Sequence, residues 1–200
     1  MSELLARRPI PARPETAPRT YPPGWWGMAV AIATEAMLFA GLLSSYFFVR
    51  AISPAWPQGG IEGPHLDRTI AFTVVLLGST VPMVIAERAA RAGKMRRLRR
   101  ALAATTLLGV AFVVNQGFEF AELSFRPGDN AYASLFIAIT GLHGAHVVAG
   151  LLMLGVCQVK VWTGRVTAAR HEIVRLVAMY WHFVDVVWVA VFTSLYVSVA

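Results

Sequence analysis

Cysteine is almost absent from this sequence, since Cys157 is the only one among 200 residues. A single cysteine excludes an intrachain disulfide, and it also excludes zinc and iron–sulfur sites built from several thiolates. Cys157 lies within a long apolar segment. The redox compartment of the chain therefore does not follow from its cysteine content.

Charge is also scarce. Charged residues make up 14% of the chain and hydrophobic residues 56%, and the mean hydropathy is +0.57. This composition lies outside the usual range of soluble domains and predicts that most of the chain lies in lipid. Only 11 residues are acidic and 18 are basic, which gives a formal net charge of +7. Because the basic residues lie between apolar segments, they predict membrane topology and no nucleic-acid partner.

Five segments are apolar over about 20 residues or more, the length that a helix needs to cross a bilayer. They cover roughly 25–50, 69–90, 101–122, 132–160 and 173–199. The predicted fold is therefore all-α, an integral membrane bundle of five transmembrane helices within residues 25–200. Pro82 falls inside the second segment and predicts a kink, where Ser79 or Thr80 could satisfy the freed carbonyl.

Residues 1–24 are rich in proline and arginine and have no apolar core, which predicts a disordered arm and no secretory signal. Positive residues are retained on the cytoplasmic side of a membrane. The arm and the two basic loops, with their flanks, carry fifteen lysines and arginines, whereas the opposite side carries three, Arg50, Arg68 and Arg126. This asymmetry predicts that the N-terminus is inside and the C-terminus outside.

Seven ionisable side chains fall within the predicted helices, where each costs a few kcal/mol unless it faces the protein interior. They are Glu35, Glu119, Glu122, His143, His146, His182 and Asp185. At 1.5 Å of rise per residue, Glu35 and Asp185 each lie about 15 Å deep. Residues three apart share a helical face. Four pairs have this spacing and predict a polar seam in the bundle interior: Gln116 with Glu119, Glu119 with Glu122, His143 with His146, and His182 with Asp185.

The histidines have two interpretations. His143 and His146 are residues that could ligate haem or a metal. No cysteine and no matching histidine pair on another helix completes such a site, so structural hydrogen bonding is favoured and no metal site is predicted. His182 and Asp185 fit an oriented acid–base pair, although an interhelical packing contact is favoured.

The glutamates also leave alternatives open. Glu119 and Glu122 lie near a helix end, where they are either solvated or structural. Glu35 stands alone with Thr34 as its only polar neighbour. It is either a functional carboxyl that faces lipid or a partner, or a polar contact between helices.

Four strings in these helices resemble subunit III of the haem-copper oxidases, the family of cytochrome c oxidase and the related quinol oxidases. They are TEAMLFAGLLSSYFF at 34–48, QGFEF at 116–120, GLHGAHVVAG at 141–150 and YWHFVDVVWVAVFTSLY at 180–196. The last two together are highly specific. The similarity runs in order from the first predicted helix to the last, and it matches the five-helix bacterial form.

The resemblance implies a non-catalytic subunit of a proton-pumping terminal oxidase in a bacterial plasma membrane. In this family, haem and copper are held by partner subunits, so no cofactor is expected on this chain. The implied partners are catalytic subunit I, subunit II and membrane phospholipids. The resemblance further implies that the chain stabilises the catalytic subunit, binds lipid and supports proton uptake.

The resemblance also assigns roles to residues. Glu35 matches the family's buried glutamate, a carboxyl that meets lipid and lies near the catalytic subunit. For the other matched positions the resemblance implies structural roles. They are Gln116, Glu119, His143, His146, Trp181, His182 and Asp185.

Two departures from the family leave other functions open. Longer members have seven helices, and an extended catalytic subunit could supply the two that have no counterpart here. Arg175 stands where many cytochrome c oxidase members carry a glutamate, and quinol oxidase members resemble this chain there. The alternatives are a quinol oxidase subunit III or a nitric oxide reductase accessory subunit, a haem-binding membrane redox protein, and a proton-coupled carrier that uses Glu35 and Asp185.

Overall fold

The computed structural model describes residues 21–58 and 66–198. The predicted arm at 1–24 lies almost entirely outside these ranges. Within these ranges, six α-helices follow one another: α1 (Pro23–Ile52), α2 (Leu66–Gly78), α3 (Thr80–Arg91), α4 (Met95–Glu122), α5 (Ala131–Trp162) and α6 (Glu172–Phe192). A π-helical turn, Thr193–Val197, extends α6.

Five helical segments of the described chain are long and apolar enough to cross a membrane, because α2 and α3 together form one of them, Asp67–Arg91. The prediction of an all-α bundle with five membrane-spanning helices is confirmed. The orientation, with the N-terminus inside, stays a prediction.

The second span is interrupted at Ser79, between α2 and α3. Pro82 has no backbone N–H, so the carbonyl of Gly78 loses its helical donor. The sequence interpretation had a hydroxyl of Ser79 or Thr80 satisfying this carbonyl. In the structure, both hydroxyls bond to α6 instead: Ser79 accepts from Trp181 and Thr80 donates to Asp185.

The third span begins at Met95, earlier than the start near residue 101 that hydropathy predicts. The intervening residues include Arg96, Arg97, Arg99 and Arg100. Arginine favours helix and can extend its charged head away from apolar surroundings, so a basic segment continues the helix beyond its apolar part. Gly93 makes the preceding turn with a φ of +67°, a conformation that favours glycine at the end of a helix.

Trp181 lies at the centre of the bundle and is 0% exposed. Two glycines make room for its indole. A Cβ added to Gly109 on α4 would lie 2.6 Å from Cη2 of the ring, and one added to Gly150 on α5 would lie 3.0 Å from Cε3. Small residues allow helices in a membrane to approach closely, and here glycines of α4 and α5 enclose a tryptophan of α6.

The first helix lies at the edge of the bundle. Only Phe39 and Tyr46 are buried among the thirty residues of α1, and the helix packs against α5 and α6. Its outward face exposes Val30, Met37 and Phe48. An apolar face of this size is typical of a surface that contacts lipid or another membrane protein.

Candidate functional site

Glu35 does not stand alone in the structure. Its Oε2 lies 3.1 Å from Nε2 of His146 on α5, and the other ring nitrogen of His146, Nδ1, lies 2.8 Å from the carbonyl oxygen of Leu142. The Glu35 side chain is 40% exposed and that of His146 13%. Glu35 therefore pairs with a histidine on one side and is open to the surroundings of the bundle on the other.

His143 has a different environment from His146, although the two share a helical face. It is fully buried, and neither ring nitrogen has a hydrogen-bond partner among the described residues. The ring lies 4.7 Å from that of Trp188 and 6.0 Å from that of Phe112, measured between centroids. His143 thus packs as an aromatic ring. Among the described residues, no three His, Cys, Asp or Glu side chains come together as a possible metal site.

Three side chains of α6 form hydrogen bonds to the second span, on both sides of its interruption at Ser79. Trp181 Nε1 donates to Ser79 Oγ at 2.8 Å, and Trp188 Nε1 donates to Thr73 Oγ1 at 3.0 Å. Between them, Asp185 Oδ2 accepts from Thr80 Oγ1 at 2.5 Å. These residues follow one another at helical spacing, so one face of α6 is fixed to α2 and α3.

The spacing of three residues predicts that Asp185 and His182 share a helical face. The structure brings Asp185 to Thr80 on another helix, and among the described residues no hydrogen bond joins Asp185 to His182. Asp185 is 5% exposed, and its second oxygen, Oδ1, has no partner in the described chain. This arrangement fits the packing interpretation and not an oriented acid–base pair.

We expect Asp185→Leu to reduce the amount of assembled protein, because the hydroxyl of Thr80 loses its acceptor. An unsatisfied buried polar group costs about 1–3 kcal/mol. The low end applies here, because Thr80 is only partly buried and can turn back to a carbonyl of its own helix. Asp185→Asn keeps an acceptor oxygen and serves as the control. Quantitative immunoblotting of membranes measures both variants, and a normal yield of Asp185→Leu would contradict this role.

A second polar cluster lies where α4 ends. Arg68 donates through Nε to Asn115 Oδ1 and through Nη1 to Glu122 Oε2, both at 2.7 Å. Glu119 Oε1 accepts from Thr69 at 3.2 Å. Each glutamate therefore bonds to the second span, although the Glu122 side chain is still 55% exposed.

The other end of this cluster joins α4 to the last two spans. Tyr196, in the π-helical turn, donates to Glu119 Oε1 at 3.1 Å, and Gln116 Nε2 donates to the carbonyl oxygen of Thr140 at 2.9 Å. Tyr196 and Arg68 belong to this cluster, although neither was predicted as part of the seam. In the sequence, Arg68 contributes only to the charge count that predicts topology. Its position in the first turn of the second span was a usable signal, because that span begins on the side of the membrane where α4 ends.

Comparisons with known proteins agree with the resemblance found in the sequence. A family model described as cytochrome c oxidase subunit III matches residues 24–199. A protein of Arabidopsis thaliana named cytochrome c oxidase subunit 3 is 37% identical over 183 residues, which cover 86% of this chain and 67% of the relative. The subunit 3 of Thermostichus vulcanus is 33% identical over 172 residues, covering 86% of this chain and 85% of the relative.

Proposed function

The chain belongs to the cytochrome c oxidase subunit III family, and from this premise we propose that it is a non-catalytic subunit that stabilises the catalytic subunit, binds lipid and supports proton uptake. Membership makes it a multi-pass membrane subunit of a haem-copper oxidase. The proposal concerns what the subunit contributes to that complex.

The contacts of the polar seam support a non-catalytic role. Trp181 and Asp185 bond to the second span, Gln116 bonds to α5, and Glu119 bonds to Tyr196. In each case the partner is a side chain or carbonyl of a neighbouring helix. Polar groups used in this way join helices within a membrane. We infer that oxygen is reduced at haem and copper held by partner subunits.

The proposal of lipid binding and proton uptake depends on Glu35. Its carboxyl lies at membrane depth on the edge helix α1, and its side chain is 40% exposed. A charge in that position is costly in lipid, and ionisable groups at this depth mark functional sites by default. An apolar groove of about 290 Å³ lies between α1, α5 and α6, lined by Met28, Leu152, Ile173 and Leu176, among others. A groove with such a lining suits an acyl chain.

The exposed face of α1 supports contacts with other chains. We propose that the catalytic subunit I and subunit II are the partners, and that the complex lies in a bacterial plasma membrane. The side chains of Val30, Met37 and Phe48 are exposed on the outward face, and contact of such apolar groups with water is unfavourable. Either lipid or a partner helix can cover them, and Glu35 gives a partner one polar group to contact.

We expect Glu35→Gln to leave assembly intact, because glutamine has the same shape and can still bond to His146. The loss of the ionisable group is expected to lower the lipid retained by the purified complex or to shorten the lifetime of turnover severalfold. Phosphate analysis and the number of turnovers before inactivation measure the two effects. Glu122→Gln is the matched control, since that carboxyl pairs with Arg68 at the helix end.

A complex with Glu35→Gln that equals the wild type in proton pumping, lipid content and inactivation rate would contradict a functional Glu35. The residue would then be a contact between helices, as the alternative interpretation of the sequence has it. If the Glu122→Gln control changed the same properties, the effect would belong to membrane carboxyls in general and not to this position.

A further inference from the structure

Basic side chains surround the turn between α3 and α4. Arg88 lies in the last turn of α3, Lys94 in the turn itself, and Arg96, Arg97 and Arg100 in the first two turns of α4. All five are exposed, and none of their side chains has a hydrogen bond or an ion pair within the described part of the chain. We call these five residues the basic surface.

The basic surface continues onto the loop between α5 and α6. A Cβ added to Gly93, in the turn between α3 and α4, would lie 3.5 Å from the Cβ of Ala168 in that loop. Arg165 and Arg170 of the same loop are also exposed. Two loops that are far apart in the sequence therefore form one positively charged end of the bundle.

The carboxylates at this end do not neutralise the charge. Glu87 is already paired with Arg91 on its own helix. The Glu172 carboxyl faces α1, where a Cβ added to Gly24 would lie 2.9 Å from its Oε1. In the described chain, no other Asp or Glu lies in α3, at the start of α4 or in the loop between α5 and α6.

The N-terminal arm does not offer a compensating charge either. It is predicted on the same side of the membrane, and its sequence contains four arginines and two glutamates. Its net charge thus has the same sign as that of the basic surface, and the counter-charge must come from outside this chain.

The unpaired charge is unfavourable for α4. Arg100 is four residues from Arg96 and three from Arg97, so the three share a helical face on which like charges repel one another. They also lie at the positive end of the helix dipole, where acidic residues are favoured, and the first turn of α4 contains no acidic residue. Anions beside these arginines lower both costs.

Arg99 and Trp162 indicate the level of the basic surface relative to a bilayer. The Arg99 guanidinium lies 5.6 Å from the centroid of the Trp162 ring, and Trp162 is 70% exposed at the end of α5. Exposed tryptophans at the end of a membrane span lie among the lipid headgroups. The basic surface begins at this level.

The length of α4 agrees with this level. Its apolar part begins near residue 101, and at a rise of about 1.5 Å per residue Arg96 and Arg97 lie roughly 6–8 Å beyond that point. The headgroup region extends about 5–7 Å beyond the hydrocarbon on each side of a bilayer. The arginines of α4 therefore lie at the depth of the lipid phosphates.

We propose that the basic surface binds the phosphate groups of anionic phospholipids in the leaflet that this end of the bundle faces. Clusters of four to eight basic residues next to a membrane span bind anionic lipid, and guanidinium groups bind phosphate oxygens in pairs. Lipid headgroups already surround the surface at this depth, whereas an acidic protein segment would have to displace them. The proposal goes beyond the proposed function, whose lipid contacts involve Glu35 and the groove beside α1.

Photo-crosslinking of the oxidase complex in vesicles tests the proposal. The vesicles contain a photoactivatable analogue of either phosphatidylglycerol or phosphatidylcholine, and mass spectrometry measures the labelled fraction of the peptides around α3 and the start of α4. We expect phosphatidylglycerol to label these peptides several times more than phosphatidylcholine. Each basic residue near an anionic surface contributes about fivefold, so the triple variant Arg96→Gln, Arg97→Gln, Arg100→Gln should lose this preference.

Two control variants accompany the triple glutamine variant. Replacement of the same three arginines by lysine keeps the charge and should keep most of the preference for phosphatidylglycerol. Arg126→Gln removes an exposed cation from the loop at the opposite end of the bundle. It should leave the labelling around α3 and α4 unchanged.

Equal labelling of the wild type by the two lipids would overturn the proposal and would favour an acidic protein segment as the occupant. A triple glutamine variant with the wild-type preference would overturn it as well, as would a lysine variant that loses the preference completely. If the glutamine variant does not accumulate, the wild type is labelled at increasing salt. Dissolved ions screen exposed charges, so the preference must fall, and a preference that does not respond to salt would contradict a charge-based site.

Discussion

Trp181→Ala is expected to remove most of the chain from the assembled complex. The indole is 0% exposed, and it lies between Gly109 and Gly150, neither of which has a side chain to fill the space it would leave. Truncation of a buried tryptophan to alanine costs about 3–5 kcal/mol. Ser79 also loses the donor that bonds to it at 2.8 Å.

The amount of chain in purified membranes, relative to the catalytic subunit, measures this effect. Trp162→Ala is the matched control, since that tryptophan is 70% exposed at the end of α5 and its removal opens no cavity. Trp181→Phe should be intermediate, because a ring remains but the bond to Ser79 does not. Equal amounts of chain in Trp181→Ala and Trp162→Ala would show that Trp181 does not hold the bundle together.

Gly109→Val is expected to disrupt the packing around Trp181 by adding atoms, whereas Trp181→Ala removes them. A Cβ at this position would lie 2.6 Å from Cη2 of Trp181 and 3.0 Å from Cδ2 of Leu151. A rigid, fully enclosed ring cannot move aside without displacing α6, and overpacking of a core costs about 1–3 kcal/mol or more. The temperature at which the complex releases this subunit should fall clearly.

Gly117→Val is the control for this substitution, because Gly117 lies on the same helix and a Cβ there would meet nothing within 4 Å. It changes the helix propensity of α4 as much as Gly109→Val does but creates no clash. A similar release temperature for both valine variants would mean that the contact between Gly109 and Trp181 is not needed for stability.

The five membrane helices were predictable because lipid imposes one strong rule, a long apolar helix for each crossing. The start of α4 at Met95 was not predictable from hydropathy. The arginines in the first turns of this helix are polar, and yet they favour helix. The break at Ser79 was expected from Pro82, but the destination of the Ser79 and Thr80 hydroxyls was not. Their partners are on α6, far along the chain.

The same limit applies to the candidate site. Spacing shows which residues share a face of one helix, so it grouped His146 with His143 and Asp185 with His182. The partners found in the structure, Glu35 for His146 and Thr80 for Asp185, lie on other helices. The rotation of each helix relative to its neighbours depends on packing between helices, and no pattern within one helix contains that information.

The depth of the residues was more informative than their spacing. Glu35 was placed near the middle of the membrane, at the level of His143 and its neighbours, and equal depth is a condition for a contact between helices. The family resemblance is also confirmed by the match over residues 24–199. The roles assigned to single residues through it stay predictions.

The most direct test of the central claim is to purify the full chain through an affinity tag in mild detergent and to record the visible spectrum and the partners of the complex. We expect a haem spectrum that accompanies the catalytic subunit, and a chain that is colourless once it is separated from its partners. A chain that purifies without haem-containing partners, or that keeps a haem band of its own, would contradict its assignment as a non-catalytic oxidase subunit.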